Sequence, residues 1–389
     1  MSIADLLNKK VRLFVFATGA GAGAQKTLWD IPGCSSFLVG AGFTYDTKLT
    51  SKIIGYTPKQ FASLDTAAEL AMAAYMEAYD PTLKDHDTIG IGLSASVAST
   101  VAHKGDHRIH LVAISNKKVY TISFIVNKGT GEPQRKNDGE IADRLIIETI
   151  KGITNVNGLS GLDSFKYMYS GSCYVSNIVS DENSSIVKDL LLQRPFFKSD
   201  GTKCSTKDFF GEVTEYPNYI FYPGSFNPLH HGHLNAAKQS YKTAVHLNDN
   251  VEGVIFTTCI NPKHKAEPTV PELLQRIKQM RGHNFLLTMD DPLFIDKAKM
   301  FPGSMITIGT DVLLSLFDPK WGVDAVEMLE IFRENNVRFL VQGRLVDDKF
   351  VSLRNVRDQN KLMQDNKYYK LFAHVEGRVD ISSTELRNK

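Results

Sequence analysis

The run Tyr222-Pro-Gly-Ser-Phe-Asn-Pro-Leu-His-His-Gly-His233 lies where a short apolar strand, Tyr219–Tyr222, hands over to a helix predicted from His231 to Val245. A polyphosphate needs three things at such a junction. Gly224 lets backbone N–H groups approach it closely. The helix start supplies the positive end of a dipole. His230 and His233, three apart around that start, bring two imidazoles to one place, with Gly232 leaving the backbone open between them. Such donors meet the charge that builds on phosphoryl oxygens in a transition state. Two histidines at this spacing also suit a metal, but the proline, the glycines and the preceding strand favour phosphate.

Working outward, strands are predicted at Val254–Thr257, Phe285–Met289, Met305–Ile308, Arg338–Val341 and Leu371–Val375, with helices over 271–281, 311–317 and 324–334. This alternation implies an α/β domain with a Rossmann-like, doubly wound parallel sheet, whose ligands sit at the strand carboxyl ends. Near the other end of the domain, Asp380-Ile-Ser-Ser-Thr-Glu-Leu-Arg387 sets Ser382, Ser383 and Thr384 where a helix can begin. Their hydroxyls can cap that helix or donate to phosphate oxygens, and Arg387 adds a planar cationic fork about one turn later.

The N-terminal half reads as a separate α/β domain. Strands are predicted at Val11–Ala17, Thr88–Leu93, Ile109–Ile114 and Val119–Val126, with helices over 57–79 and 138–153 and Asp138 as a cap. Ser115-Asn116-Lys117-Lys118 is a predicted hairpin turn. Thr18–Ala24 is glycine-rich, but its spacing is GxGxG rather than the dinucleotide GxGxxG. The pattern weakens between Gly171 and Pro217, so the predicted layout is residues 1–165, a partly ordered connector over 166–216, and residues 217–389. Phe196, Phe197, Phe209 and Phe210 in that connector require somewhere to pack.

Composition narrows the function classes. Hydrophobic residues make up 42% of 389 and charged residues 23%, enough for two cores and too apolar for disorder. Lys plus Arg is 45 against 43 for Asp plus Glu, a net of +2, so no nucleic-acid footprint is expected. No apolar run has the roughly 20 residues of a membrane span, and Met1–Lys10 has no secretory pattern. Cys34, Cys173, Cys204 and Cys259 have no metal-ligand spacing. A soluble, cytoplasmic protein with free thiols is the expectation.

His230-His-Gly-His233 resembles the HxGH signature of the nucleotidylyltransferase superfamily, and Gly224-Ser-Phe-Asn-Pro-Leu-His resembles the approach to it in nicotinamide-mononucleotide adenylyltransferases. The 381–387 run resembles the ISSTxxR motif of those enzymes. The resemblance makes His230, His233 and Arg387 the catalytic candidates. It assigns ATP and its phosphates to Gly224, Ser225, Phe226, Gly232, Ser382, Ser383 and Thr384, together with Gly309 and Asp311 of a Gly-x-Asp motif and Arg344 on the adenine side. Asn261-Pro-Lys-His-Lys265 resembles the acceptor-phosphate loop, with Lys263 or Lys265 as the cation. Trp321 stands where relatives carry an aromatic that stacks on the pyridine ring. The implied reaction moves AMP from ATP to nicotinamide or nicotinate mononucleotide, giving NAD or its deamido form and pyrophosphate. Mg²⁺ is then held by substrate oxygens and water rather than by a protein cage.

Val11–Ile153 resembles the C-terminal domain of the CinA family, whose active members deamidate nicotinamide mononucleotide. The matching residues are Thr18-Gly19, Ile31-Pro-Gly-Cys-Ser-Ser36, Gly40, Tyr45, Lys48, Lys52 and Ile54-Gly55. Ser35 or Ser36 would be the nucleophile, assisted by Tyr45 or a lysine such as Lys48. Val15-Phe16-Ala17 replaces the family's acidic-Ser lead, and Gly90–Ser96 replaces its later Gly-Pro segment. Deamidase activity is therefore expected to be lost, leaving a structural, oligomerising or sensing role, and a homo-oligomer is expected. Two other readings stay open for the chain. One is a transferase using phosphopantetheine or a phospho-alcohol. The other is a non-catalytic nucleotide sensor, which the short run after Arg387 favours.

Overall fold

In a computed structural model, residues 3–102, 104–155, 173–181, 184–248, 250–262, 266–289, 293–318, 320, 322–346 and 349–379 are described. The chain divides into two units, Met1–Gln193 with Thr269–Lys278, and Arg194–Pro268 with Gln279–Lys389.

The first unit runs β1 (Val11–Thr18), α1 (Ala22–Trp29), β2 (Leu38–Phe43), α2 (Thr47–Ile54), α3 (Leu64–Ala78), β3 (Asp87–Ser96), β4 (His107–Ser115), β5 (Val119–Val126), α4 (Gly131–Thr154), β6 (Cys173–Asp181) and α5 (Ser185–Gln193). Its sheet has the order β2-β1-β3-β4-β5-β6. β1 pairs in parallel with β2 and β3, and the remaining pairs are antiparallel. α1 and α4 cover one face through Ala24, Leu28, Ile141 and Leu145, and Phe16 packs with Ile54 and Leu70 on the other. The Ser115–Lys118 turn closes as expected, Ser115 N–H donating to Lys118 O at 2.9 Å.

Two expectations change here. The helix predicted from Thr57 begins at Leu64, because Ser63 accepts from Thr66 N–H and so caps it. Asp138 is not a cap. It lies inside α4 with no exposure, and its carboxylate accepts from Ala98 N–H at 2.8 Å and from the Gln134 amide at 2.7 Å. His107 Nδ1 lies 3.2 Å from the same carboxylate. A short polar residue at a helix start reads as a cap until a second element supplies deeper partners.

The second unit contains β7 (Phe196–Phe197), β8 (Lys203–Cys204), α6 (Thr206–Phe210), β9 (Tyr219–Pro223), α7 (His231–Leu247), β10 (Gly253–Cys259), β11 (Asn284–Thr288), α8 (Phe294–Met300), β12 (Met305–Gly309), α9 (Thr310–Leu316), α10 (Ala325–Glu334), β13 (Arg338–Val346), β14 (Lys349–Val351), α11 (Leu353–Gln359) and β15 (Phe372–Val379). Its parallel strands follow the order β11-β10-β9-β12-β13-β15. This is a Rossmann-like sheet whose order reverses between β9 and β12. The sheet alternates its faces. Met305 packs with Ala244 of α7 on one side, while Ile306 and Ile308 pack with Leu313, Met328 and Phe332 on the other.

The aromatic segment before Pro217 belongs to this unit. Phe196 and Phe197 pair antiparallel to β11, and Phe196 stacks on Phe209 with centroids 3.6 Å apart. Phe196 joins Phe221, Ile255, Leu286 and Phe301 in one cluster.

Replacing Asp138 with Ala strands the Ala98 N–H beside a histidine in a buried site. The substitution should lower stability by about 1–3 kcal/mol, read as an earlier urea transition by circular dichroism.

Candidate active site

The site sits at the carboxyl ends of β9 and β12, the two strands between which the sheet order reverses. Between β9 and α7 the chain turns through Gly224–Leu229. Gly224 is clamped to β10, donating to Thr257 O at 3.0 Å and accepting from Thr258 Oγ1 at 2.7 Å. Phe226 takes a left-handed backbone conformation, φ 44°, and turns its buried ring back over Gly224. A Cβ on Gly224 would lie 2.8 Å from that ring, so a larger residue would push it away. Burying a phenylalanine is worth about 1.5–3 kcal/mol, which helps hold the left-handed turn. Leu229 N–H donates to Gln279 Oε1 at 2.7 Å and fixes the last step into the helix.

α7 then starts at the two histidines. His230 is its N-cap residue, and the His230 and His233 rings stack with centroids 3.7 Å apart and 29° between their planes. His233 Nδ1 accepts from the His230 N–H at 3.3 Å. Desolvation, then the neighbouring His230 and the Arg344 charge, lower the His233 pKa from 6.5 to about 3. The ring is therefore neutral near neutral pH, and with Nδ1 accepting, its proton sits on Nε2. His233 thus offers an N–H donor without carrying a charge.

Across the crevice, β12 ends at Gly309 and α9 begins with Thr310 and Asp311. Asp311 Oδ1 lies 3.8 Å from Arg344 Nε. Both side chains cross the Gly309 backbone, where a Cβ would sit 2.2 Å from Asp311 Oδ1 and 2.9 Å from Arg344 Nε. Thr310 Oγ1 accepts from Arg344 N–H and donates to Val351 O, each at 3.0 Å. Tyr222, not among the expected site residues, is buried beneath the crevice, and that burial pushes its pKa up to about 12. The available signal was a tyrosine ending a core strand, since a buried phenol needs a polar partner.

The structure brings together Gly224, Phe226, His230, Gly232, His233, Gly309, Asp311 and Arg344 around this crevice, with half-buried Ser225 in the turn. Arg344 acts electrostatically on His233, so it stands with the histidines. Lys263, Lys265, Trp321, Ser382, Ser383, Thr384 and Arg387 lie outside the described residues. Among the described residues no group of three His, Cys, Asp or Glu is placed to hold a metal ion, and no helix is long and apolar enough to cross a membrane.

These features match a known domain. Residues 221–389 match the cytidylyltransferase-like family. The histidine pair lies at the first strand–helix junction of the matched segment. No curated protein matches the chain.

In the first unit the predicted residues separate. Ser35 and Ser36 lie in a turn before β2, whereas Tyr45 and Lys48 follow that strand. Six extended residues span about 20 Å, so the serines and their expected activators stand at opposite ends of β2. Tyr45 Oη accepts instead from Arg135 Nη2 at 3.2 Å, and Lys48 N–H is bound by Asp46 at 2.9 Å. At the glycine-rich loop, Asp143 Oδ1 accepts the Ala24 N–H at 2.9 Å. The chain's own carboxylate therefore takes the α1 start, where a dinucleotide phosphate would bind.

The histidine geometry predicts a pH effect. Folded His233 titrates well below an unfolded imidazole, so the unfolded chain binds more protons between pH 6.5 and about 3. Its contribution to stability is complete above that window and declines as pH falls through it. Imidazole ¹⁵N shifts should show His233 neutral and Nε2-protonated at about pH 5, where an ordinary histidine is cationic.

Proposed function

We propose that the second unit is an adenylyltransferase acting on nicotinamide or nicotinate mononucleotide. The observation that carries this reading is the convergence of the histidine pair, Gly224, Asp311 and Arg344 at the switch point of a cytidylyltransferase-like domain. The sequence runs at 261–265 and 381–387 and Trp321 support the choice of acceptor within that superfamily.

An oxygen of the acceptor phosphate attacks the α-phosphorus of ATP. The bond to the bridging oxygen breaks, and that oxygen carries its electron pair away with pyrophosphate. No protein nucleophile is required, because positioning and charge neutralisation suffice. The α7 start and the His233 Nε2–H donate to phosphoryl oxygens, Arg344 supplies a fixed positive charge, and Asp311 accepts from ribose hydroxyls. Mg²⁺ would come as part of the ATP substrate and would offset the charge of its phosphates. The site's imidazoles and guanidinium suit the anionic oxygens of that complex rather than the ion itself. The separation of Ser35 and Ser36 from Tyr45 and Lys48 supports a first unit without deamidase activity.

The test is pyrophosphate release from ATP or CTP with Mg²⁺, offering nicotinamide mononucleotide, its acid form, phosphopantetheine and a phospho-alcohol in parallel. Release with ATP and a mononucleotide is expected. Release with another acceptor or with CTP would move the chain elsewhere in the superfamily, and silence with every pair would leave a nucleotide sensor. Replacing His233 with Ala should lower kcat about a hundred- to a thousand-fold.

A further inference from the structure

We infer that Gln342 is a positioning residue of this site, a latch that seats α7 and its two histidines when a polyphosphate binds at the helix start. The inference rests on the adenylyltransferase reading above and adds a residue to it. Gln342 lies on β13 directly beside Gly309, the crevice residue that ends β12. It is 1% exposed, and neither its Nε2 nor its Oε1 has a hydrogen-bond partner among the described residues. Leu340, two residues earlier, packs with Ala244 of α7, so Gln342 is on the α7 face of the sheet. Beside it β15 bulges: Glu376 and Gly377 stand between the partners of Gln342 and Gly343, and Gly377 takes a φ of 106°. A Cβ on Gly377 would lie 3.5 Å from Gln342 Nε2, 3.5 Å from Gln239 Cγ and 4.0 Å from Asn235 Nδ2. Three carboxamides, two of them on α7, thus surround one point. Only Gln239 and Asn235 are joined, at 3.4 Å.

The rest of the helix seat is also unmade. Met305, Leu340 and Val375 pack with Ala244 in an apolar cluster, but one step nearer the crevice the layer turns polar. Ser240 lies one turn before Ala244 and is fully buried, and Thr307 lies two residues after Met305, on the same face of β12. Neither hydroxyl has a hydrogen-bond partner among the described residues. Unpaired buried polar groups destabilise a fold, and apolar residues of similar shape would avoid that cost. These groups can serve one another, since a carboxamide and two hydroxyls supply both donors and acceptors. A helix shift of about 1–2 Å, with side-chain rotation, is enough to join them. An anion at the α7 start supplies the pull, because it meets the positive end of the helix dipole. α7 therefore has two seatings, one with these groups unpaired and one with them bonded, and the ligand selects the second.

Gln342→Leu tests the inference, because it fills much the same space without an amide. The free variant should melt about 2–4 °C higher than wild type, while its affinity for ATP with Mg²⁺, measured by calorimetry, falls about ten-fold. A merely structural role predicts the opposite sign for the melting change. Thr307→Val, a smaller change in the same layer, should behave alike and serves if Gln342→Leu does not fold. Hydrogen exchange gives a readout free of turnover: ATP should slow exchange along α7 in wild type, and much less in either variant. In a background carrying Asn235→Ala and Gln239→Ala, Gln342→Leu should weaken ATP binding no further, because the groups act as one set. A lower melting point in both variants, unchanged ATP binding, or equal losses in the two backgrounds would overturn the latch. Wild-type chain that binds ATP and protects α7, yet releases no pyrophosphate with any acceptor, would defeat the adenylyltransferase reading and leave the latch standing. Wild-type chain that binds no ATP would overturn both.

Discussion

Everything at the candidate site depends on where the sheet reverses its strand order. β9 and β12 are parallel neighbours, yet α7 packs on one face of the sheet and α9 on the other. The chain leaving β9 and the chain leaving β12 must part at their carboxyl ends, and a crevice opens there. Its walls are fixed by topology, and side chains have only to line it. His230 and His233 come from one wall, and Asp311 from the other. Arg344 reaches in from the next strand.

Within that crevice the charge balance is set by burial more than by formal charge. His233 is neutral because it is desolvated beside His230 and Arg344, so the fixed cation is Arg344 and the imidazole is a donor. Three positive groups in one low-dielectric site would repel one another before any ligand arrived. A neutral donor, one guanidinium and a helix start avoid that cost and still favour an anion. The first unit shows what happens when an internal group fills such a place. Its glycine loop also leads into a helix start, but Asp143 binds there, and the anion site is taken by the protein itself.

Much of this was legible in the sequence. The alternation after Pro217 announced a parallel α/β sheet because strand and helix periods differ sharply. The Gly224–His233 run marked a candidate site because a glycine, a turn and two histidines at a helix start have few other uses together. Less was legible in the first half. Gly40 and Gly42 give β2 little strand propensity, so Leu38–Phe43 was passed over, and with it the fact that Ser35 and Tyr45 lie at opposite strand ends. Asp138 looked like a cap because capping is local, whereas its real partners come from elsewhere in the chain.

By itself, then, the sequence determined the local chemistry: which segments become strands and helices, where a helix start meets glycine and histidine, and which residue types await phosphate. Tertiary structure alone decided which of those groups meet. Strand order placed Arg344 with the histidines, and Ser35 was carried away from Lys48. The physical reason is that propensity and capping act over a few residues. The hydrogen bonds, burial and charge that tune a site join residues far apart in the chain, and only the packed sheet brings those together.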